Sequence, residues 1–349
     1  ARATVSGLRP VSEVNTLRPW AARRPPTAAP IMPGAITATT GFIVFVLELE
    51  RGCSRRCGYL IVLSLPPVIA ATIVILKPRN ARVPNRLDEI RHNIALASRM
   101  LAHENVLDAF GHVSMRHPTD PGRYFLSRSR SPQLLEPDDI LEYTLDSEPV
   151  KPPSLPMFAE RVIHGCIYEA RPDVMAVCHH HAAAVLPFCV AGVPIEPVFH
   201  LGAASGATTP FWDQQKEFGD TNLLVRTPEE GRSHARALGN HSAVLLNRHG
   251  ATVVGADIRE LVSRCIFMCQ NAVYQLQAHM LGKVDKLTPG EVKLASTLNS
   301  LPNVTGRTWE YWTMRLAEAG RLPPAGKTKP SAKARRVGAK KASRGKKRR

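Results

Sequence analysis

The chain has 349 residues, a net charge of +17 and seven cysteines. Residues 1–86 carry 12 Lys and Arg against 3 Asp and Glu, residues 87–320 carry 21 against 26, and residues 321–349 carry 13 against none. The basicity therefore lies in the ends, which argues against a dedicated nucleic-acid partner for the middle and leaves only weak tail contacts with anionic surfaces. An odd cysteine count fits no secreted disulfide framework and favours a reducing, cytoplasmic setting.

Residues 1–84 read as a poorly ordered N-terminal extension. The first 40 are rich in Arg, Pro, Ala and Thr with little periodicity, and such composition cannot bury a core. The apolar run 59–76 is long enough to cross a bilayer if helical. Pro66-Pro67 interrupts it, however, and Arg55-Arg56 and Lys77-Arg79 flank it on both sides, so no membrane anchor is expected. All 13 histidines lie from His92 onward, as they would if the extension stood outside the functional enzyme.

From Asn85 to about residue 320 the pattern is globular. Leu87, Ile90, Ile94, Ala97 and Leu101 make one helical stripe over 87–103. A second helix is expected over 158–170, ended by Arg171-Pro172 because the residue before proline leaves the helical region. Val174 to Cys178 reads as a strand, as do Ala243 to Leu246 and Ala251 to Val254, and a long helix runs from Ile258 to about Leu281. Cys265 and Cys269, one turn apart on that helix among apolar neighbours, read as core residues. Helices alternating with strands give an α/β fold. Residues 321–349, with Lys333-Ala-Arg-Arg and Lys346-Lys-Arg-Arg, read as a disordered basic tail.

The chemistry gathers around histidine. His179 and His181 at the end of a strand point the same way and His180 the other, because side chains alternate along a strand. His249 stands before Gly250 at a strand-turn-strand junction, where a glycine lets the backbone bring a side chain over a neighbouring strand end. Three neutral imidazoles would hold a divalent ion and leave coordination positions open. Glu160, a helix and a tight turn earlier, could face that ion as ligand or as general acid/base, or stand as an exposed carboxylate at the helix start.

These residues carry a resemblance. Glu160-x3-His164-x2-Ile-Tyr168-x2-Arg-Pro-Asp-Val, then Ala-Val-Cys-His-x-His181, then Arg-His249-Gly resembles the class II aldolase/adducin family over roughly residues 87–285. The resemblance implies a three-layer α/β/α single domain, a homotetramer with active sites between subunits, a divalent ion (Zn, Mn, Mg or Fe) on His179, His181 and His249, and Glu160 as fourth ligand or catalytic carboxylate. Arg248 departs from the family, many of whose members have Asn there.

Phe110-Gly-His-Val-Ser114-Met-Arg116-His-Pro stands where sugar-phosphate aldolases usually carry Gly-Asn-x-Ser. Together with Phe125-Leu-Ser127-Arg128-Ser129, Pro197-Val-Phe-His200 and Leu224-Val-Arg-Thr-Pro, it is similar to decarboxylases of aromatic catabolism. These act on dihydroxyphthalate-type acids or hydroxy-carboxymuconic semialdehydes. The implied activity is a carboxy-lyase reaction on such a small carboxylic acid. Arg116 and Arg128, with Ser114, Ser127 and Ser129, are candidate carboxylate binders, since a guanidinium grips a carboxylate in two-pronged fashion. His112 and His200 are candidates to position the substrate or deliver the proton that replaces CO2. The rival readings are a sugar-phosphate aldolase or epimerase, an iron-dependent oxygenase using the same ligands, and a non-catalytic adducin-like interaction protein.

Overall fold

The computed structural model describes residues 43–45, 60–64, 72–76 and 86–324, so the disorder expected of the first 40 residues and of the tail beyond Pro324 lies outside the described residues. The chain divides into two units, residues 1–83 and 84–349. In the first, β1 (Ile43–Phe45), β2 (Leu60–Ser64) and β3 (Thr72–Leu76) form an antiparallel sheet with β2 in the centre. The apolar run that could have been one long helix is thus two paired strands, Leu60 opposite Leu76 and Ser64 opposite Thr72. Its Val and Ile content favours the pleated form, and a proline pair inside a helix would remove backbone donors and clash. Among the described residues no helix is long and apolar enough to cross a membrane.

The second unit is built on a seven-stranded sheet. Its strands in chain order are β4 (His112–Arg116), β5 (Arg123–Ser127), β6 (Ile140–Thr144), β7 (Ala176–His180), β8 (Phe211–Trp212), β9 (Ala243–Leu246) and β10 (Gly250–Gly255). In space the order is β6-β5-β4-β7-β10-β9-β8, and every pair is antiparallel except β8 with β9. The helices are α1 (Arg86–His103), α2 (Arg161–Ala170), α3 (Leu186–Ala191), α4 (Gln214–Phe218), α5 (Pro228–Leu238), α6 (Ile258–Leu281), α7 (Pro289–Asn299) and α8 (Pro302–Glu318).

The sheet is apolar on both faces, which is why its strands read as continuous hydrophobic runs. Ala176 and Cys178, Ala243 and Leu245, and Ala251 and Val253 pack with Leu101 of α1, Leu261, Cys265 and Met268 of α6 and Leu316 of α8. The alternate residues Val177, Val244, Leu246 and Val254 pack with Ile163 and Ile167 of α2 and with Leu238 of α5. Helices on both faces make the three-layer arrangement. Each fully buried Leu, Ile or Val contributes about 1.5–3 kcal/mol to it. Cys265 and Cys269 lie inside the first cluster, as core residues.

The C-terminal edge of this unit lies beyond residue 321. The Arg99 guanidinium donates to the carbonyls of Arg321 at 3.0 Å and Leu322 at 3.3 Å, so the segment that begins the expected tail is tied to α1.

Candidate metal centre

Strand β7 sets the first two imidazoles. His179 shares the face of Val177, toward α2 and α5, while His180 shares the face of Cys178 and is buried with its Nδ1 accepting from the Ala182 amide at 3.3 Å. His181 follows the last paired residue. The third imidazole comes from the β9–β10 turn, where Arg248 adopts φ +60° and Gly250 pairs with Leu246. A Cβ on Gly250 would overlap the His180 carbonyl oxygen. Only glycine lets the turn press against β7 and carry His249 beside His179.

Glu160 caps the start of α2 but its side chain makes no capping hydrogen bond. Its carboxylate turns instead to the histidines, with Oε2 3.8 Å from His179 Nε2 and Oε1 3.7 Å from His249 Nε2. The Val225 amide donates to Oε1 at 3.1 Å. The helix-start alternative open at the level of sequence is thereby closed.

These four residues present ligand atoms that all lie within 4.8 Å of one another. His179 Nε2 and His181 Nε2 are 3.2 Å apart. Two nitrogens on one tetrahedral ion at ordinary bond lengths stand roughly 3.3 Å apart, so the spacing fits a first-row divalent metal. The outer nitrogens of two of the rings have partners. Asp108 carboxylate, which can only accept, lies 3.4 Å from His181 Nδ1, and Thr252 Oγ1 lies 3.1 Å from His179 Nδ1. A proton held on His181 Nδ1 by Asp108 turns the His181 Nε2 lone pair toward the ion position, and the Thr252 hydroxyl can hold His179 in the same tautomer.

Electrostatics agree. Burial holds His179 well below the ordinary imidazole range, with the neighbouring His249 and His181 adding to it, and burial followed by His181 pushes His249 down to about 4. Both stay neutral, as metal ligands must. Burial pushes the Glu160 carboxyl up to about 7, opposed by the Val225 amide and assisted by the Glu230 charge.

The cluster forms one wall of a cavity of about 570 Å³, lined also by Phe110, Ser129, Met157, Phe158, Asn222, Leu223, Leu224 and Arg248. Of the residues expected to bind a carboxylate, Ser129 reaches this lining and the others do not. Arg116 is a correction. It is buried, donates to the carbonyls of Val174, Pro121, Tyr168 and Arg171, and stacks 4.8 Å over the Tyr168 ring, so its donors are consumed by the fold. Arg128 is paired with Asp139 at 2.7 Å, and the Ser127 hydroxyl is buried without a partner. His200 is the exposed first residue of a largely buried 3-10 turn and contributes its carbonyl to Asn299, outside the cavity lining.

Ser114 and His112 belong to a buried chain behind the metal wall. His112 faces His179 across the strand pair. Its Nδ1 lies 2.7 Å from His164 Nε2, His164 Nδ1 lies 2.6 Å from Ser114 Oγ, and Ser114 Oγ lies 2.8 Å from Tyr168 OH. Burial pushes the Tyr168 phenol well above the usual range, so it keeps its proton. Donation along Tyr168, Ser114, His164 and His112 satisfies every member in either direction, and the two directions place the His112 proton on opposite ring nitrogens. Sequence reasoning gave His164 only as part of the family motif, and missed Asp108, Thr252, Asn222 and Leu223. No periodicity marks them, although Leu223 at φ +65° is a conformation that a branched aliphatic residue rarely holds.

A model of the class II aldolase and adducin N-terminal domain matches residues 92–276. The chain belongs to that family. Among curated class II aldolase relatives, a decarboxylase, TropJ, of Talaromyces stipitatus is 31% identical over 243 residues, covering 63% of this chain and 91% of that one. A 3,4-dihydroxyphthalate decarboxylase of Arthrobacter keyseri is 29% identical over 245 residues, 65% of this chain and 92% of that one. Among solved structures of the class II aldolase fold, L-fuculose 1-phosphate aldolase of Glaciozyma antarctica superposes with a TM-score of 0.58 at 18% identity, over 71% of this chain and 96% of that one. The superposition bears out the fold, and the relatives' names place the chain among lyases.

Proposed function

We propose that this chain is a metal-dependent carboxy-lyase acting on a hydroxylated aromatic acid of dihydroxyphthalate type or on a hydroxy-carboxymuconic semialdehyde. The observation that carries the reading is the convergence of three imidazole Nε2 atoms and the Glu160 carboxylate on one wall of an apolar cavity. The two decarboxylases among its relatives support the reaction class. Zinc, manganese, magnesium or iron held by His179, His181, His249 and Glu160 would supply Lewis acidity to the electron pair that the departing CO2 leaves behind.

The chain's own residues do the rest. Phe110, Phe158, Leu223 and Leu224 give the cavity apolar walls that suit a planar ring. Val225 holds Oε1 of Glu160, leaving Oε2 for the ion or for a proton. The Glu160 carboxyl, raised by burial in the metal-free chain, is placed to carry the proton that takes the place of CO2 on the substrate carbon. His112, kept neutral by burial, stands beside His179 at the end of the hydrogen-bonded chain from Tyr168. Residues of a second copy would complete the site if the active form is a homotetramer.

The test is incubation of the full chain with Mg2+, Mn2+, Zn2+ or Fe2+ and a panel of catechol carboxylates and aldol phosphates, with CO2 release followed. Release from a catechol carboxylate with one or more of the ions is expected. Cleavage of L-fuculose 1-phosphate without any CO2 release would replace the reading by an aldolase.

A further inference from the structure

The cavity is poor in unengaged cations. Three arginines in the segments around it are each held by a hydrogen-bonded carboxylate or carbonyl. Arg128 and Arg130 both grip Asp139, at 2.7 and 2.6 Å, and Arg161 donates to the carbonyls of Ser147 and Phe158. Arg248 differs. It lines the cavity next to the ligand His249, yet among the described residues its guanidinium donates to nothing. Its nearest acid, Asp213, has Oδ1 at 3.9 Å, beyond hydrogen-bond reach, while the other oxygen of Asp213 accepts from Asn247 Nδ2 at 3.0 Å. Its side chain is 47% exposed, so the fork is anchored loosely at one edge and open on the rest.

The backbone makes the choice of residue informative. Arg248 sits at φ +60°, a left-handed conformation that Gly and Asn adopt readily and a long side chain does not. The turn is fixed by its own needs: the Arg248 amide donates to the Cys189 carbonyl and Gly250 abuts His180. An arginine here brings backbone strain that asparagine would relieve, and strain of this kind collects where a side chain serves a ligand. With Glu160 and buried histidines as its neighbours, the cavity otherwise offers an anion no formal positive charge from the lining side chains.

We infer that Arg248 is the specificity-determining residue of this site, which takes a carboxylate of the substrate in the two-pronged contact its free guanidinium allows. The substrate class is an aromatic acid bearing a second carboxylate besides the oxygens that face the metal wall. This rests on the carboxylic-acid reading above and deepens it.

Binding calorimetry on the full chain reconstituted with Mn2+ tests it, with phthalate, benzoate and catechol as probes. Arg248→Asn is expected to weaken phthalate by roughly 10- to 100-fold, the loss of a charge-assisted pair, to weaken benzoate less, and to leave catechol within about twofold. Arg248→Lys should recover part of the phthalate affinity, since an ammonium lacks the fork. Arg248→Asn should melt at or above the wild-type temperature because the turn relaxes. A variant that melts lower is replaced by Arg248→Gln and the same comparison made. Equal losses for phthalate and catechol, an unchanged phthalate affinity, or no phthalate binding by the wild type would overturn the inference. Arg248-dependent phthalate binding with no CO2 release from any acid would instead sink the decarboxylase reading and leave this assignment standing.

Discussion

The cavity has two walls of different make. His179 and Glu160 belong to regular structure, the first on a strand paired on both sides and the second at the head of a helix packed on the sheet, while Asn222, Leu223, Leu224 and Arg248 come from loops. Two of those loop residues hold positive φ, among only four non-glycine residues that do so in the described chain. His179 and Glu160 are positioned by regular structure and His249 by a turn braced against β7, whereas Leu223 and Arg248 are presented by loops in left-handed conformations. A register keeps its ligands while sequences diverge, whereas loops can change what they recognise without disturbing the ligands.

Breaking the metal wall should have the largest effect. His179→Ala or His249→Ala is expected to lower metal content and CO2 release together by more than about 100-fold, since each deletes a ligand outright where outer-shell changes already cost 10- to 100-fold. Metal analysis after gel filtration, alongside the CO2 assay, checks it. Retention of both would dissolve the distinction between the walls. A finer cut is Thr252→Val, which removes the partner of His179 Nδ1 and keeps the strand. Metal affinity should fall by about 10-fold, measured by chelator competition, with phthalate recognition through Arg248 unchanged at saturating metal.

The smallest effect concerns stability. Burial pushes His164, His180 and His234 each down to about 3, so the unfolded chain binds protons that the folded chain refuses between about pH 6.5 and pH 3. Stability contributed by these groups is present above their unfolded value and is lost as pH falls, by up to about 1.4 kcal/mol per pH unit for each histidine. Glu160, raised to about 7, acts with opposite sign between its unfolded range and that value, and being one group against seven histidines lowered by burial it reduces the slope without reversing it. Urea melts of the metal-free chain from pH 7 to pH 5 should show the fall. His234→Gln, which replaces a ring with no hydrogen-bond partner among the described residues, should make it shallower. An unchanged slope would show that His234 takes up its proton without unfolding.

The two walls also differ in how far the sequence discloses them. Strand alternation alone separates His179 and His181 from His180, and the glycine after His249 marks the turn that brings the third imidazole in. Both are local rules with a period or a punctuating residue. Helix α6 is legible over its whole length, Ile258 to Leu281, for the same reason. By contrast, whether Arg116, Arg128 or Arg248 faces the cavity depends on which carbonyls and carboxylates lie nearby in space. Arg116 finds its four acceptors on segments up to 58 residues away, and no pattern around residue 116 announces them. Strands β4 to β6 and helices α7 and α8 escaped for a related cause, since short strands and half-exposed helices owe their form to packing partners distant in the chain.

One contact has a dynamic consequence. Because Gly250 rests against the His180 carbonyl with no room for a methyl group, the distance between the first two ligands and the third is measured off by main chain against main chain. Moving His249 away from His179 and His181 then requires β10 to shift on β7, and the ladder from Ala251–His180 to Gly255–Ala176 resists that as a unit. A bound ion adds its own restraint between the two strands, so amide exchange along β7 and β10 should slow when the metal is loaded.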